Sequence, residues 1–257
     1  MPSRRSLSAL AALAVLLASG GAARRAYDGS IVTDRPDFTE SPLAVPARAV
    51  QLEVGDTYER TDGVRANTTG EALLRVGMRP GAELRVTVPS YVQVAGPGGA
   101  HGFTDANLGA KFELLQAPEG PSVVPQTALI VGTGLPTGAR PFRARGLSPE
   151  AKLLLGWTLS ERWALASNVN AASADAGDGR AGELAGSVSF ARSLGDRMGA
   201  YVEWFGSRVQ RAGSANYANT GVTWLFSSND QLDVRVGRGV GATRDDYFVG
   251  LGLSRRW

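Results

Sequence analysis

"DDYFVGLGLSRRW", residues 245–257, closes the chain. Tyr247, Val249, Leu251 and Leu253 alternate with Phe248, Gly250, Gly252 and Ser254. A large apolar residue at every second position marks a β-strand with two unlike faces. Chain ends are usually polar and frayed. This one carries its alternation to the last residues and stops on the aromatic Trp257. The pattern predicts a terminal strand held on both sides, as in a sheet that closes on itself.

The same period recurs from residue 47 onward. In "VQLEVGDTYER", Val50, Leu52, Val54 and Tyr58 oppose Gln51, Glu53, Thr57 and Glu59. In "AELRVTVP", Leu84, Val86 and Val88 oppose Glu83, Arg85 and Thr87. In "ANLGAKFELL", Leu108, Ala110, Phe112 and Leu114 oppose Asn107, Lys111 and Glu113. In "NDQLDVRVG", Leu232, Val234 and Val236 oppose Gln231, Asp233 and Arg235. Similar segments lie near 72–78, 151–159, 163–171, 184–192, 198–207 and 218–226. "TALIVGTGL" reads as a strand by its β-branched content, with its phase open. With the terminal segment these make twelve strands.

The connections alternate in length. Those at 61–69, 89–104, 136–150, 172–182, 208–216 and 239–246 are long; "RPGA", "QAPEGPS", "SER", "SLGD" and "SSND" are short. A transmembrane barrel places short turns in the periplasm and longer loops outside. The predicted fold is therefore all-β: an antiparallel up-and-down transmembrane barrel of about twelve strands, with both termini in the periplasm. Aromatics sort by strand end. Trp157, Trp163, Trp224, Phe226 and Trp257 fall at the periplasmic ends, and Tyr58, Tyr91, Tyr217 and Tyr247 at the outer ends, with Tyr91 and Tyr217 out of phase. Trp157, Trp163, Trp224 and Trp257 are the expected interface anchors.

Composition agrees. Mean hydropathy is −0.09 and charged residues are 20%, too polar for a helical membrane protein. There is no cysteine, which removes thiol and disulfide chemistry and suits an oxidising compartment. Residues 1–23 read as a secretory signal peptide: Arg4 and Arg5, an apolar run from Leu7 to Ala18, then Gly21-Ala22-Ala23. Without Arg4 and Arg5, 25 of the 27 basic residues remain against 24 acidic ones, a net charge of about +1 with no basic stripe, so no nucleic acid is expected as partner. Residues 24–46 hold Pro36, Pro42 and Pro46 and no clean period, which excludes a central strand. They lie in the periplasm or fold into the lumen; the sequence leaves both open. Residues 47–257 form the barrel.

Strand phase supplies a candidate lumen lining. Glu53, Glu83, Glu113, Glu203 and Asp233 face inward with Arg75, Arg85, Lys111, Lys152 and Arg235, and Tyr201 and Phe205 add aromatic groups. Asn107, Asn168, Asn170, Thr87, Thr127, Ser187, Ser189 and Thr223 add neutral polar ones. A selective ion pore shows rings of one sign; balanced charge predicts weak ion selectivity. The same charges could equally pair and fill the space. The single histidine, His101, sits in "AGPGGAHGF" with no evident partner, so a catalytic, metal or cofactor site is not expected, and the hydrolase reading, with Ser90 as the nearest serine, is disfavoured. "GRGVGA" lies between barrel strands and is no nucleotide loop.

"IVTDRPDFTESPLAVP" followed by "QLEVGDTYER" resembles the opening of the MetA-pathway of phenol degradation family of outer-membrane proteins. "LGAKFELL", "ALIVGTGLPTG", "YVEWFGS", "YANTGVTWLFSSNDQLDVRVGRG" and "GLGLSRRW" are similar too, across nearly the whole mature chain. The resemblance implies an outer-membrane barrel of transporter type and, by the family's name, a link to aromatic compounds; it carries no catalytic motif. The expected function is passive passage of small neutral, hydrophobic or aromatic solutes, the alternative a structural or loop-mediated interaction barrel with a filled lumen. Expected partners are outer-membrane lipids, the barrel assembly machinery through the C-terminal strand, and a solute the sequence does not identify. Arg255 departs from the simplest form of that C-terminal signal.

Overall fold

The computed structural model describes residues 29–96, 98–117, 119–175, 179–210 and 213–257; the predicted signal peptide lies outside them. Fourteen strands form one sheet: β1 (Val50–Thr61), β2 (Val64–Arg79), β3 (Ala82–Val88), β4 (Tyr91–Ala95), β5 (His101–Phe103), β6 (Ala106–Leu115), β7 (Gln126–Leu135), β8 (Ser148–Thr158), β9 (Trp163–Asp175), β10 (Arg180–Ser193), β11 (Met198–Val209), β12 (Gly213–Ser227), β13 (Asp230–Gly239) and β14 (Tyr247–Arg256). β3 and β4 are two halves of one crossing, both paired with β2; β5 and β6 are halves of the next. The result is twelve antiparallel crossings. β14 pairs with β1 from Gln51↔Arg256 to Arg60↔Tyr247 and closes the barrel. Both β1 and β14 begin or end at the same rim, here called the near end.

The terminal tryptophan is held as the alternation predicts. Trp257 N–H donates to Val50 O at 2.8 Å and Val50 N–H donates back at 3.1 Å. Arg255 lies 5.5 Å over the Trp257 ring and pairs with Asp230 at 3.6 Å.

The split crossing has a chemical cause. Pro89 has no N–H to give the ladder. Ser90 N–H turns to Thr104 Oγ1 (2.9 Å), and Thr104 N–H donates to Ser90 O (2.9 Å). On β2, Gly70 (φ +70°) bulges out and donates to Asp56 Oδ1 at 2.8 Å. The two irregularities together set Tyr91 opposite Thr69, which pairs with Asp56. That brings Tyr91 into the outward register, correcting the phase read from sequence.

Several connections predicted as long loops are mostly strand. β1 and β2 are joined by Asp62 and Gly63 alone, with φ +51° and +78°, the two left-handed residues of a type I′ hairpin. β4 and β5 fall within 89–104, and the strands flanking 172–182 and 208–216 run well into those spans. The extra length on the far side is largely hydrogen-bonded hairpin.

The distribution of polarity is inside out. Among the described residues, eight apolar side chains are buried against twenty-one polar or charged ones. Val169, Val202, Val234 and Leu251 are 52–59% exposed, and Trp204 and Trp224 47%. An apolar exterior around a polar interior is the arrangement a bilayer selects. One inner patch is apolar: Ala128, Ile130 and Leu154 on β7 and β8. This settles the phase of β7 and corrects one assignment, since Thr127 stands one step off that inward set, its hydroxyl on Pro125 O at 3.3 Å.

Candidate functional site

Residues 29–46 enter the barrel from the near end and cross its interior. Ile31 N–H donates to Ser228 O in the β12–β13 turn (2.7 Å), and Arg48 N–H to Gly77 O (2.7 Å) as the chain returns to β1. Between these points the segment has no regular structure, so its backbone polar groups need other partners. The inward charges supply them. Glu53 accepts from Asp34 N–H (2.9 Å) and Arg35 N–H (3.0 Å). Glu83 accepts from Val45 N–H (2.6 Å), Glu113 from Ala44 N–H (2.8 Å). Glu203 accepts from Phe38 N–H (3.0 Å), Thr39 N–H (2.7 Å) and the Thr39 hydroxyl (2.6 Å). Arg75 and Lys111 donate to Leu43 O (2.9 Å) and Ser41 O (2.7 Å), and Arg235 to Pro36 O (3.0 Å). The wall thus binds the segment as a folded core binds a loop.

Side-chain ion pairs tighten the contact. Asp34 lies 2.5 Å from Arg85, 3.0 Å from Lys111 and 3.5 Å from Arg75. Arg75 also meets Glu53 and Glu83, each at 2.9 Å. Glu40 bridges Arg85 (2.8 Å) and Lys152 (3.1 Å). Arg35 reaches Glu71 (3.0 Å) and Asp233 (3.7 Å). It can do so because Gly55 and Gly252 line its path; a Cβ at either would overlap its guanidinium.

Burial opposes charge on Asp34, yet Arg75, Lys111 and Arg85 together hold its carboxyl well below the usual carboxylate range. Glu40 is likewise buried and is lowered by Lys152 and Arg85. Asp37 has the reverse environment: burial, then the neighbouring Glu203, push it well above the usual range.

At the segment's apex Phe38 stacks on Phe205 (centroids 4.7 Å, planes 7° apart). Phe205 in turn stacks on Tyr217 at 5.2 Å and approaches Phe248 at 6.2 Å. Two cavities border this septum. One of about 250 Å³ lies above it, walled by Phe205, Tyr217, Phe248, Arg235 and Glu71. The other, about 450 Å³, lies between residues 31–37 and a wall that includes Tyr201, Thr223 and Gln231, with Glu161, Arg162 and Arg192 also lining it.

Of the residues singled out from sequence, Glu53, Arg75, Glu83, Arg85, Lys111, Glu113, Lys152, Glu203, Phe205, Asp233 and Arg235 all touch residues 29–46, and Tyr201 hydroxyl accepts from Asn219 at 3.1 Å beside them. Tyr217 belongs to the interior aromatic tier, its hydroxyl on Asp246 at 3.2 Å, and not to an exterior belt. Trp163 stacks on Phe190 at 4.6 Å under Arg192, and Trp224 lies 6.0 Å from Phe226; Trp157 donates its indole N–H to Val123 O at 3.1 Å. His101 pairs with Gln93 on β4, facing Tyr91 at 6.4 Å, and Ser90 is engaged with Thr104; the two do not form a nucleophile–base pair. Sequence reading missed Asp34, Arg35, Phe38 and Glu40, whose segment has no period, and Glu71 and Arg256. Arg256 points inward and donates to Gly29 O at 2.7 Å; its alternation with Arg255 was the available signal.

The fold and its filled interior define a class: closed antiparallel membrane barrels of twelve crossings whose own N-terminal segment occupies the lumen. The chain belongs to the family described as "Putative MetA-pathway of phenol degradation", which matches residues 33–257. No curated protein sequence matches it. Among solved structures it is similar to the COG4313 outer membrane channel from Pseudomonas putida F1 (14% identity, 84% of this chain and 97% of that one, TM-score 0.63). It is also similar to the NanC porin (10%, 79% and 98%, TM-score 0.53) and the KdgM porin (10%, 79% and 98%, TM-score 0.51).

Proposed function

We propose that this protein is an outer-membrane channel for small solutes, closed in the present structure by residues 29–46. The observation that carries the reading is the nature of the filling. An eight-strand barrel is filled by its own wall side chains; this wider lumen is filled by a separate segment held through backbone N–H and C=O contacts, with open space on both sides of a thin septum. A plug of that kind can move without unfolding the wall. The ring tier of Phe38, Phe205, Tyr217 and Phe248 favours solutes with an aromatic or apolar face, and the barrels of similar fold include an outer membrane channel and a porin. The export signal and the β14 terminus fit delivery to the outer membrane by its barrel assembly machinery; removing Trp257 should lower the yield of assembled, heat-modifiable barrel.

The density of ion pairs favours a second reading, a permanently filled structural barrel. Planar-bilayer recordings separate the two. Discrete conductance steps from the intact protein, increased on deleting residues 29–46, support the channel. Silence from both, with the barrel intact by circular dichroism, supports the filled barrel.

A further inference from the structure

The exterior carries a feature the channel does not use. Arg60 and Arg65 are directly paired across the β1–β2 hairpin, and Arg60 also pairs with Tyr247, which pairs with Arg238. The row therefore runs Arg238–Tyr247–Arg60–Arg65 over four adjacent strands. All four residues are exposed. They share the outward register of Val249 and Leu251, since Tyr58↔Val249 lies one outward step below Arg60↔Tyr247. Like charges directly opposite on a sheet repel. Among the described residues no carboxylate pairs with Arg60, Arg65 or Arg238; Arg244 beside them is occupied by Asp245 at 3.9 Å. Asp246 points inward to Tyr217 and Asp62 N–H, and Asp56, two outward steps below, is capped by Gly70.

Height decides what could neutralise the row. Tyr247 is ten residues before Trp257 on one strand, roughly 33 Å along it. At a tilt of about 40° that is ~25 Å along the barrel axis, the height of the apolar band of such barrels. With Trp257 at one interface, the arginines stand at the other, beside the Tyr58–Tyr247 ring pair (6.1 Å). Guanidinium groups bind phosphate bidentately and favour that headgroup level.

We propose that Arg60, Arg65 and Arg238 form a binding site for the phosphate of an anionic lipid in the outer leaflet. The site rests on the outer-membrane reading. Its test is native mass spectrometry of the full chain refolded in detergent micelles and titrated with short-chain phosphatidic acid, phosphatidylcholine, or inorganic phosphate. Phosphatidic acid should be retained in preference to phosphatidylcholine, and retention should weaken with added salt. Arg60→Gln with Arg65→Gln should lower that affinity by about 25-fold, roughly fivefold for each arginine, whereas Arg162→Gln in a near-end turn should leave it within about twofold. Equal retention of both lipids, or a double variant that binds like wild type, overturns the site. Inorganic phosphate competing as well as the lipid would show an anion site with no lipid component and also overturns it. Failure of the chain to enter micelles or bilayers as a heat-modifiable barrel would instead sink the membrane reading itself.

Discussion

Replacing Asp34 with asparagine should release the segment while leaving the barrel standing. The carboxylate faces Arg85, Lys111 and Arg75 at 2.5, 3.0 and 3.5 Å, and Asp34 is 6% exposed. The amide keeps the shape and the acceptor for Ser41 N–H (3.0 Å) but removes the charge. Removing one partner from a buried ion cluster costs about 3–5 kcal/mol, because the remaining charges stay buried and uncompensated. At about 1.4 kcal/mol per decade, the docking equilibrium should move by roughly 140- to 3,700-fold toward release. The β1–β14 and β1–β2 ladders do not involve Asp34, so heat-modified migration should be unchanged. Open-channel probability in planar bilayers, and cleavage of the segment by protease on the near-end side of proteoliposomes, should both rise. Asp245→Asn, an exposed surface control, should change neither. Wild-type gating and wild-type protease resistance in Asp34→Asn would refute the idea that these ion pairs hold the segment in place.

Phe38→Ala removes the ring stacked on Phe205, worth about 0.5–1.5 kcal/mol beyond its buried area; it should raise open probability several-fold, and channel recordings with no change would count against the apex as a gate. Docking should depend on pH in two directions. Asp34 and Glu40 are depressed, so their contribution is present above their ordinary values of 3.8 and 4.5 and lost as pH falls below those values. Asp37 is raised, so its contribution declines as pH climbs from 3.8 through its elevated value, where a second charge appears beside Glu203. Protease protection of the segment against pH should show both limbs, and Asp37→Asn should flatten only the high-pH one. Gly252→Ala places a Cβ 2.5 Å from Arg35 Nε and Asp233 Oδ2; it should weaken docking with little effect on barrel assembly, and a variant as protected as wild type would show that Arg35 has another seat.

Much of the wall could be read without coordinates because a barrel strand in a bilayer meets two solvents. Period two in "QLEV", "ELRV" and "DVRV" sorts Glu53, Glu83, Arg85, Asp233 and Arg235 to one face whatever their eventual neighbours. Local irregularities were harder. Pro89 and Gly70 each shift a register, and only their cross-strand partners show that the shifts combine to turn Tyr91 outward. The Asp62-Gly63 hairpin was available as a short-range signal, but a charged, polar stretch around it reads as loop until the paired strand is known.

Sequence alone therefore determined the number of crossings, their closure through a terminal strand ending on Trp257, and most of the inward charges. These follow from composition and from side-chain alternation, which act within a few residues. Tertiary structure alone decided what those charges do. Whether Glu203 lines an open pore or grips Thr39 depends on a contact 164 positions away in the chain, and Arg235 meets Pro36 across 199. A proline-broken segment has no period of its own to betray its destination. Its place is set by where the closed wall puts carboxylates to accept its N–H groups and cations to receive its carbonyls and Asp34, and that arrangement exists only once the barrel is closed.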